Sequence, residues 1–133
     1  MTFRSGMSRG VLYLDESVYN LDSLLSSKNF RVRKVPTHTP DDIIQELLTD
    51  HIFVTKNPRH FLLAALEYEF GLIGVTDAAM ADPAKVASAI SQAYAQFSLR
   101  IHIPFQLTVS VGGSVTFKEL TEEEIRKALE EEE

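Results

Sequence analysis

The sequence predicts an α/β protein in which a parallel central sheet is covered by helices on both faces. Short apolar runs alternate along the chain with stretches whose apolar residues recur at helical spacing, in the order βαβαβαβα. Each apolar run ends in a polar cluster, which is typical of central parallel strands. The short connections between these stretches favour right-handed crossovers within one sheet.

The beginning of the chain supplies two strands and the helix between them. The apolar run Val11–Leu14 stops at Asp15 and Glu16, which predicts a buried strand. Apolar residues at helical spacing follow, and a polar stop at residues 26–29 ends this predicted helix. Residues 30–35 predict a second strand near a sheet edge, because they include three basic side chains.

Three later helices are predicted to begin in the same way, with a capping side chain followed by proline at the first helical position. The three pairs are Thr39-Pro40, Asn57-Pro58 and Asp82-Pro83. The second of these helices is predicted to stop at Gly71 as a C-terminal cap, and the third to run to about Phe97.

Residues 52–55 and 72–76 are apolar runs that predict the third and fourth strands. After Pro104, alternating apolar and polar residues on both sides of Gly112-Gly113 predict a β-hairpin at a sheet edge. Thr121 and the glutamates after it form a capping box for a last, acidic helix. We therefore expect one domain over residues 1–117 and an acidic C-terminal helix or tail over residues 118–133.

The composition indicates a single soluble domain and excludes several functions. The chain has 133 residues, of which 44% are hydrophobic and 24% charged, enough for one core. Without cysteine it has no disulfide framework, thiolate metal site or cysteine nucleophile, which favours a cytoplasmic location. No apolar run is long enough to span a membrane, and residues 1–10 lack the apolar core of a signal peptide.

The net charge of -6 is concentrated near the C-terminal end. Residues 118–133 carry eight acids and three bases, whereas residues 1–117 carry eleven acids and ten bases. Bulk electrostatics therefore does not predict binding to nucleic acid. Two groups of bases are candidates either for phosphate contacts or for a solvated surface: Lys28, Arg31, Arg33 and Lys34, and then Lys56, Arg59 and His60.

Acidic residues follow several predicted strands, at the edge where open parallel sheets bind ligands. Asp15 ends the first strand, Asp77 follows the fourth, and Asp41 and Asp42 follow the loop after the second. Carboxylates with few other donors suit hard cations such as Mg²⁺ or Mn²⁺, which serve phosphoryl-transfer chemistry. The sequence therefore predicts a metal site at this edge of the sheet.

Each of these acids also has a structural interpretation. Asp41 and Asp42 fall in the first turn of a predicted helix, where carboxylates interact favourably with the macrodipole. Asp77 suits a turn, and Asp82 suits a helix N-cap. Asp15 is the strongest functional candidate, because an acid at the end of a buried strand loses solvation unless a partner compensates it.

Other chemistries lack their motifs. The four histidines are dispersed, without the spacing of a zinc hydrolase. No glycine-rich phosphate loop follows the first strand, and no arrangement of serine and histidine specifies a catalytic triad.

Three segments resemble the short PIN-like domains of bacteria and archaea, a superfamily that includes toxin-type ribonucleases. The segments are 11–16 (VLYLDE), 41–44 (DDII) and 53–61 (FVTKNPRHF), and the likeness extends to Val75. The resemblance implies a three-layer, Rossmann-like fold and hydrolysis of RNA with Mg²⁺ or Mn²⁺. Asp15 matches the family's first metal position, and Asp41 or Asp42 matches the second. The resemblance implies a site of Asp15, Asp42 and Asn57, with Asn57 at the third position, and Asp77 is a further metal candidate from its strand end. The partners implied are RNA, an antitoxin-like protein and a second copy of the chain.

The third segment departs from the family pattern. Asn57 and His60 stand where acids are usual, so fewer negative charges are available to hold a cation. Asn57 still offers a carbonyl oxygen, and His60 suits contact with a phosphate. A non-catalytic PIN-like module that binds a protein partner or RNA is therefore the alternative function.

Overall fold

The structure, a computed structural model, describes residues 11–36 and 38–131, and it confirms the predicted α/β class. Over these residues six strands form one sheet: β1 (Val11–Leu14), β2 (Arg31–Lys34), β3 (Ile52–Thr55), β4 (Gly71–Val75), β5 (Phe105–Val109) and β6 (Val115–Glu119). Their order in the sheet is β2-β1-β3-β4-β5-β6. The first five are parallel, and β6 pairs antiparallel with β5 at one edge.

Helices cover both faces of this sheet. The α-helices of the described residues are α1 (Asp22–Ser26), α2 (Asp41–Leu48), α3 (Leu62–Tyr68), α4 (Pro83–Phe97) and α5 (Glu122–Glu131). Buried side chains of α1 and α4 pack on one face, and those of α2, α3 and α5 pack on the other. None of the helices within residues 11–36 and 38–131 is both long enough and apolar enough to cross a membrane.

The central strands supply side chains to both cores, which explains why they are apolar throughout. In β3, Ile52 and Val54 belong to the core under α1 and α4, whereas Phe53 belongs to the core under α2 and α3. In β4, Ile73 belongs to the core under α1 and α4, and Leu72 belongs to the core under α2 and α3. Because successive side chains of a strand point to opposite faces, a strand covered on both sides has no solvent-facing position.

The predicted hairpin at the sheet edge is confirmed. Alternate residues of β5 are buried, and the turn contains Gly112 and Gly113 with φ of 78° and 82°, which favours glycine. β6 continues to Glu119, so the predicted domain boundary at residue 117 falls inside this strand. The acidic helix α5 then packs against α3, where Ile125 is buried.

The predicted helix starts are only partly correct. Asp82 caps α4 by accepting a hydrogen bond from the backbone N–H of Lys85 (3.3 Å). The prediction for Thr39 is wrong, because its hydroxyl donates to the carbonyl of Pro36 and Pro40 occupies the capping position of α2. Asn57 makes no side-chain cap either, and Pro58 opens a 3₁₀ turn over Pro58–Phe61 before α3.

The predicted end of α3 at Gly71 is also wrong. The helix ends at Tyr68, and Glu69 adopts the left-handed conformation with φ of 56°. Gly71 is instead the first residue of β4, where a Cβ atom would collide with the ring of Phe105. The glycine is therefore required by packing between neighbouring strands. The first helix also differs from its prediction, since a 3₁₀ stretch over Glu16–Leu21 precedes α1.

Candidate functional site

The strand order places a crevice between the ends of β1 and β3. The chain leaves β1 to form β2 on one side and then crosses to form β3 on the other side. Connections that diverge in this way leave an opening at the carboxyl ends of the strands, where open α/β sheets bind ligands. Asp15 directly follows β1, and Thr55 is the last residue of β3, so both residues lie at this opening.

The carboxylate of Asp15 is held by two hydroxyl groups. Ser17 Oγ donates to Asp15 Oδ2 at 2.7 Å, and Thr55 Oγ1 donates to the same oxygen at 3.1 Å. Within the described part of the chain, Oδ1 of Asp15 accepts no hydrogen bond. One oxygen of the carboxylate is thus fixed by these two hydroxyl groups.

Thr55 links Asp15 to the segment that follows β3. Its side chain is fully buried, and Oγ1 accepts a hydrogen bond from the backbone N–H of Asn57 at 3.0 Å. The hydroxyl therefore uses both its donor and its acceptor capacity, as a buried hydroxyl needs to. This arrangement ties the start of the Asn57 segment to the carboxylate at the end of β1.

A small cleft of about 170 Å³ opens beside Asp15. Its polar lining comes from Asp15, Glu16, His38 and Thr39, and its apolar lining from Val35, Pro36, Ile44 and Phe61. The ring of Phe61 packs edge-on against Phe53, with ring centroids 4.9 Å apart, so the apolar side of the cleft is part of the core. The cleft combines acidic oxygens with a rigid apolar wall.

Of the predicted metal ligands, Asp15 lines this cleft and the others lie elsewhere along the same edge of the sheet. Asp42 is exposed in the first turn of α2, and Asn57 is exposed after β3. Asp77 follows β4 and forms an ion pair with Lys56, with Nζ and Oδ1 2.5 Å apart. Asp15 and Asp77 are at the same edge of the sheet, as predicted, because β1 and β4 run in the same direction.

The predicted phosphate-binding residues lie just beyond the site. Lys56 follows β3 and carries the ion pair with Asp77, while its backbone N–H donates to Ser17 Oγ at 3.3 Å. Arg59 and His60 are exposed in the 3₁₀ turn after Asn57. This turn sits close to β4 because Gly74 has no Cβ, and one there would collide with the ring of Pro58.

Several residues of the site were missed by sequence reasoning. Glu16, His38 and Thr39 line the cleft, and Ser17 and Thr55 hold the carboxylate. Glu16 and Ser17 follow Asp15 directly, so their position after a buried strand was an available signal. His38 lies on a loop and carries no pattern that marks it, and the Thr39-Pro40 pair predicts a helix cap rather than a residue of the site.

The donors in the cleft suit a hard cation that is held loosely. Among the residues that the structure describes, no three side chains of His, Asp or Glu are arranged to hold a metal ion. Asp15 and Glu16 nevertheless supply carboxylate oxygens, and Thr39 supplies a hydroxyl. Mg²⁺ commonly keeps several waters and is bound by one or two carboxylates together with substrate phosphates. The oxygen donors of the cleft fit that mode of binding.

The fold and the cleft together define a three-layer α/β protein with a polar site where the strand order reverses. Comparison of the chain with family models, with curated proteins and with solved structures found no match. The resemblance to PIN-like domains therefore stays a prediction from the sequence motifs.

Proposed function

We propose that this chain is a PIN-like, metal-dependent ribonuclease that hydrolyses RNA phosphodiesters at the cleft beside Asp15. The supporting observation is the carboxylate of Asp15, which Ser17 and Thr55 hold by one oxygen at the point where the strand order reverses. A carboxylate fixed in this way is preorganised for a ligand, because the protein has already restricted its rotation.

In this proposal Asp15 is the principal ligand of Mg²⁺ or Mn²⁺, and Glu16 and Thr39 supply further oxygens within the cleft. Asp42 and Asn57 lie outside the cleft at the same ends of the strands. When bound, the cation supplies an activated water and stabilises negative charge on the phosphate. Thr55 and Ser17 keep the Asp15 carboxylate oriented. The cleft offers few protein ligands, so a phosphate of the RNA would supply further oxygens to the cation.

The bases after β3 bind the phosphates that flank the reacting one. Lys56, Arg59 and His60 follow the strand next to β1, within reach of the same edge. The ion pair of Lys56 with Asp77 is no obstacle, because Asp77 is 85% exposed and exposed ion pairs contribute little stability. RNA affinity is expected to be modest and to fall with salt, since only a few bases take part.

The test is cleavage of a single-stranded RNA in Mg²⁺ or Mn²⁺ by the unmodified chain and by Asn57→Asp. The added carboxylate is expected to increase both cation affinity and cleavage, since its charge is added at the carboxyl edge of the sheet. Asn29→Asp is the matched control, because Asn29 is exposed and precedes β2. It therefore lies at the amino ends of the parallel strands, opposite to the site. An equal effect of the two substitutions would contradict the proposal.

A second candidate function is a non-catalytic PIN-like module that binds RNA or a protein partner. It is favoured by the positions of Asp42, Asn57 and Asp77, which lie outside the cleft that Asp15 lines. This candidate predicts no cation-dependent cleavage by either the unmodified chain or Asn57→Asp. RNA binding without cleavage in the same assay would support it over the ribonuclease.

A further inference from the structure

The helices α2, α3 and α5, here called the acidic helix layer, leave apolar side chains in solvent. Leu63 on α3 is 61% exposed, and Ile43 and Leu47 on α2 are 47% and 42% exposed. Ile43 and Leu47 are four residues apart, so they lie on the same face of α2. These large apolar side chains are substantially exposed to solvent, so packing in the core beneath them does not account for their apolar character.

A groove of about 670 Å³ runs between α3 and α5 in this layer. Most of its lining is apolar: the residues are Leu63, Leu66, Ile125 and Leu129, with Glu67, Glu122 and Arg126 as the charged members. α5 has only a narrow apolar stripe, which covers part of α3 and leaves the groove open. Its volume lies within the range of sites that hold apolar ligand groups.

The charge of this layer is strongly one-sided. α2 carries three acids, α3 one and α5 five, against two bases on α5, for a net charge of -7. The helices on the other face, α1 and α4, carry one acid and one base. The whole chain has a net charge of -6, so this layer accounts for all of its negative excess. The apolar groove therefore lies in a layer with a strongly negative net charge.

We propose that the acidic helix layer is the docking surface for a basic amphipathic helix of a partner protein. The apolar stripe of such a helix, spaced i, i+3, i+4 and i+7, matches an elongated apolar groove between two helices. Its basic flanks complement the glutamates on both sides of the groove. A second copy of this chain is a poor occupant, because it would bring two acidic layers together. The proposal stands whether or not the cleft cleaves RNA.

The test uses a synthetic peptide of leucine and lysine whose leucines fall at i, i+3, i+4 and i+7. Its control is a peptide of the same composition with the leucines distributed around the helix. Binding of each peptide to the full chain is measured by fluorescence anisotropy at two salt concentrations. The amphipathic peptide is expected to bind more tightly than its control and to weaken as salt is raised.

Two variants test whether the peptide binds at the proposed surface. Leu63→Ser is expected to weaken binding about tenfold, because it removes an apolar contact at the groove. Ile101→Ser is the matched control, since Ile101 is 79% exposed and lies after α4, away from the layer. Both residues are exposed, so both variants are expected to fold, which circular dichroism verifies.

Three outcomes would overturn the proposal. The first is equal binding of the two peptides, which would show that charge alone is responsible. The second is equal binding by Leu63→Ser and the unmodified chain. The third is a dimer of the unmodified chain that Leu63→Ser converts to a monomer, because the occupant would then be a second copy.

Discussion

The hydroxyl of Thr55 donates a hydrogen bond to the carboxylate of Asp15 across the point where the strand order reverses, with Oγ1 and Oδ2 3.1 Å apart. The two residues end neighbouring parallel strands, and Thr55 is fully buried. The same hydroxyl accepts from the N–H of Asn57, so it connects the carboxylate to the segment that carries the bases. Thr55 therefore positions Asp15 in the proposed site together with Ser17.

Removal of the Thr55 hydroxyl is expected to destabilise the fold. Thr55→Val preserves the shape of the side chain but leaves the N–H of Asn57 without its acceptor, at a cost of about 1–3 kcal/mol. Thr55→Ser keeps the hydroxyl and is the matched control, with a smaller loss. Urea unfolding of both variants measures the difference. A valine variant as stable as the unmodified chain would show that the hydrogen bonds contribute nothing net.

The class of fold was predictable from the sequence because each element carries a local signal. β3 and β4 are apolar throughout because both of their faces are covered. Apolar runs of this length, bounded by polar residues, are distinguished from helices because they are too short to be helical. The hairpin was predictable from Gly112 and Gly113, because the turn needs positive φ. The start of α4 was predictable because a single side chain, Asp82, makes the cap.

The site was less predictable because it depends on contacts between distant parts of the chain. The spacing around Asp15 carries no sign that Thr55 approaches it, since that contact depends on which strands are neighbours. The ion pair of Lys56 and Asp77 likewise requires β3 and β4 to be adjacent. Thr39 has the sequence signature of a cap, but its hydroxyl has an equally local alternative in the carbonyl of Pro36.

The two helix starts with different capping give a direct comparison. Asp82→Ala removes the side-chain cap of α4 and is expected to cost about 1 kcal/mol of unfolding free energy. Thr39→Ala removes no cap from α2, so its cost is expected to be smaller. Thermal or urea unfolding of the two variants measures both values. A larger loss for Thr39→Ala would contradict the observed start of α2.

Gly74 is expected to control the position of the turn after Asn57. Gly74→Ala places a Cβ against Pro58 and should destabilise the fold by about 1–3 kcal/mol through overpacking. Gly71→Ala is the control, because its Cβ would meet the ring of Phe105 on β5 and not Pro58, which follows β3 on the other side of β4. Amide NMR shifts of Asn57 and Arg59 should move in Gly74→Ala and much less in Gly71→Ala. Equal shifts in both variants would argue against a specific role for Gly74.

The most direct test of the ribonuclease proposal is Mn²⁺ binding by the unmodified chain and by Asp15→Asn, with and without a single-stranded RNA that resists cleavage. The asparagine keeps an oxygen that accepts from Ser17 and Thr55, so stability should change by no more than about 1 kcal/mol while the charge is lost. We expect the unmodified chain to bind Mn²⁺ more tightly when RNA is present, because the phosphate completes the coordination. We expect Asp15→Asn to lose this binding. Equal Mn²⁺ binding by the two proteins, or no effect of RNA on the unmodified chain, would contradict the proposed site.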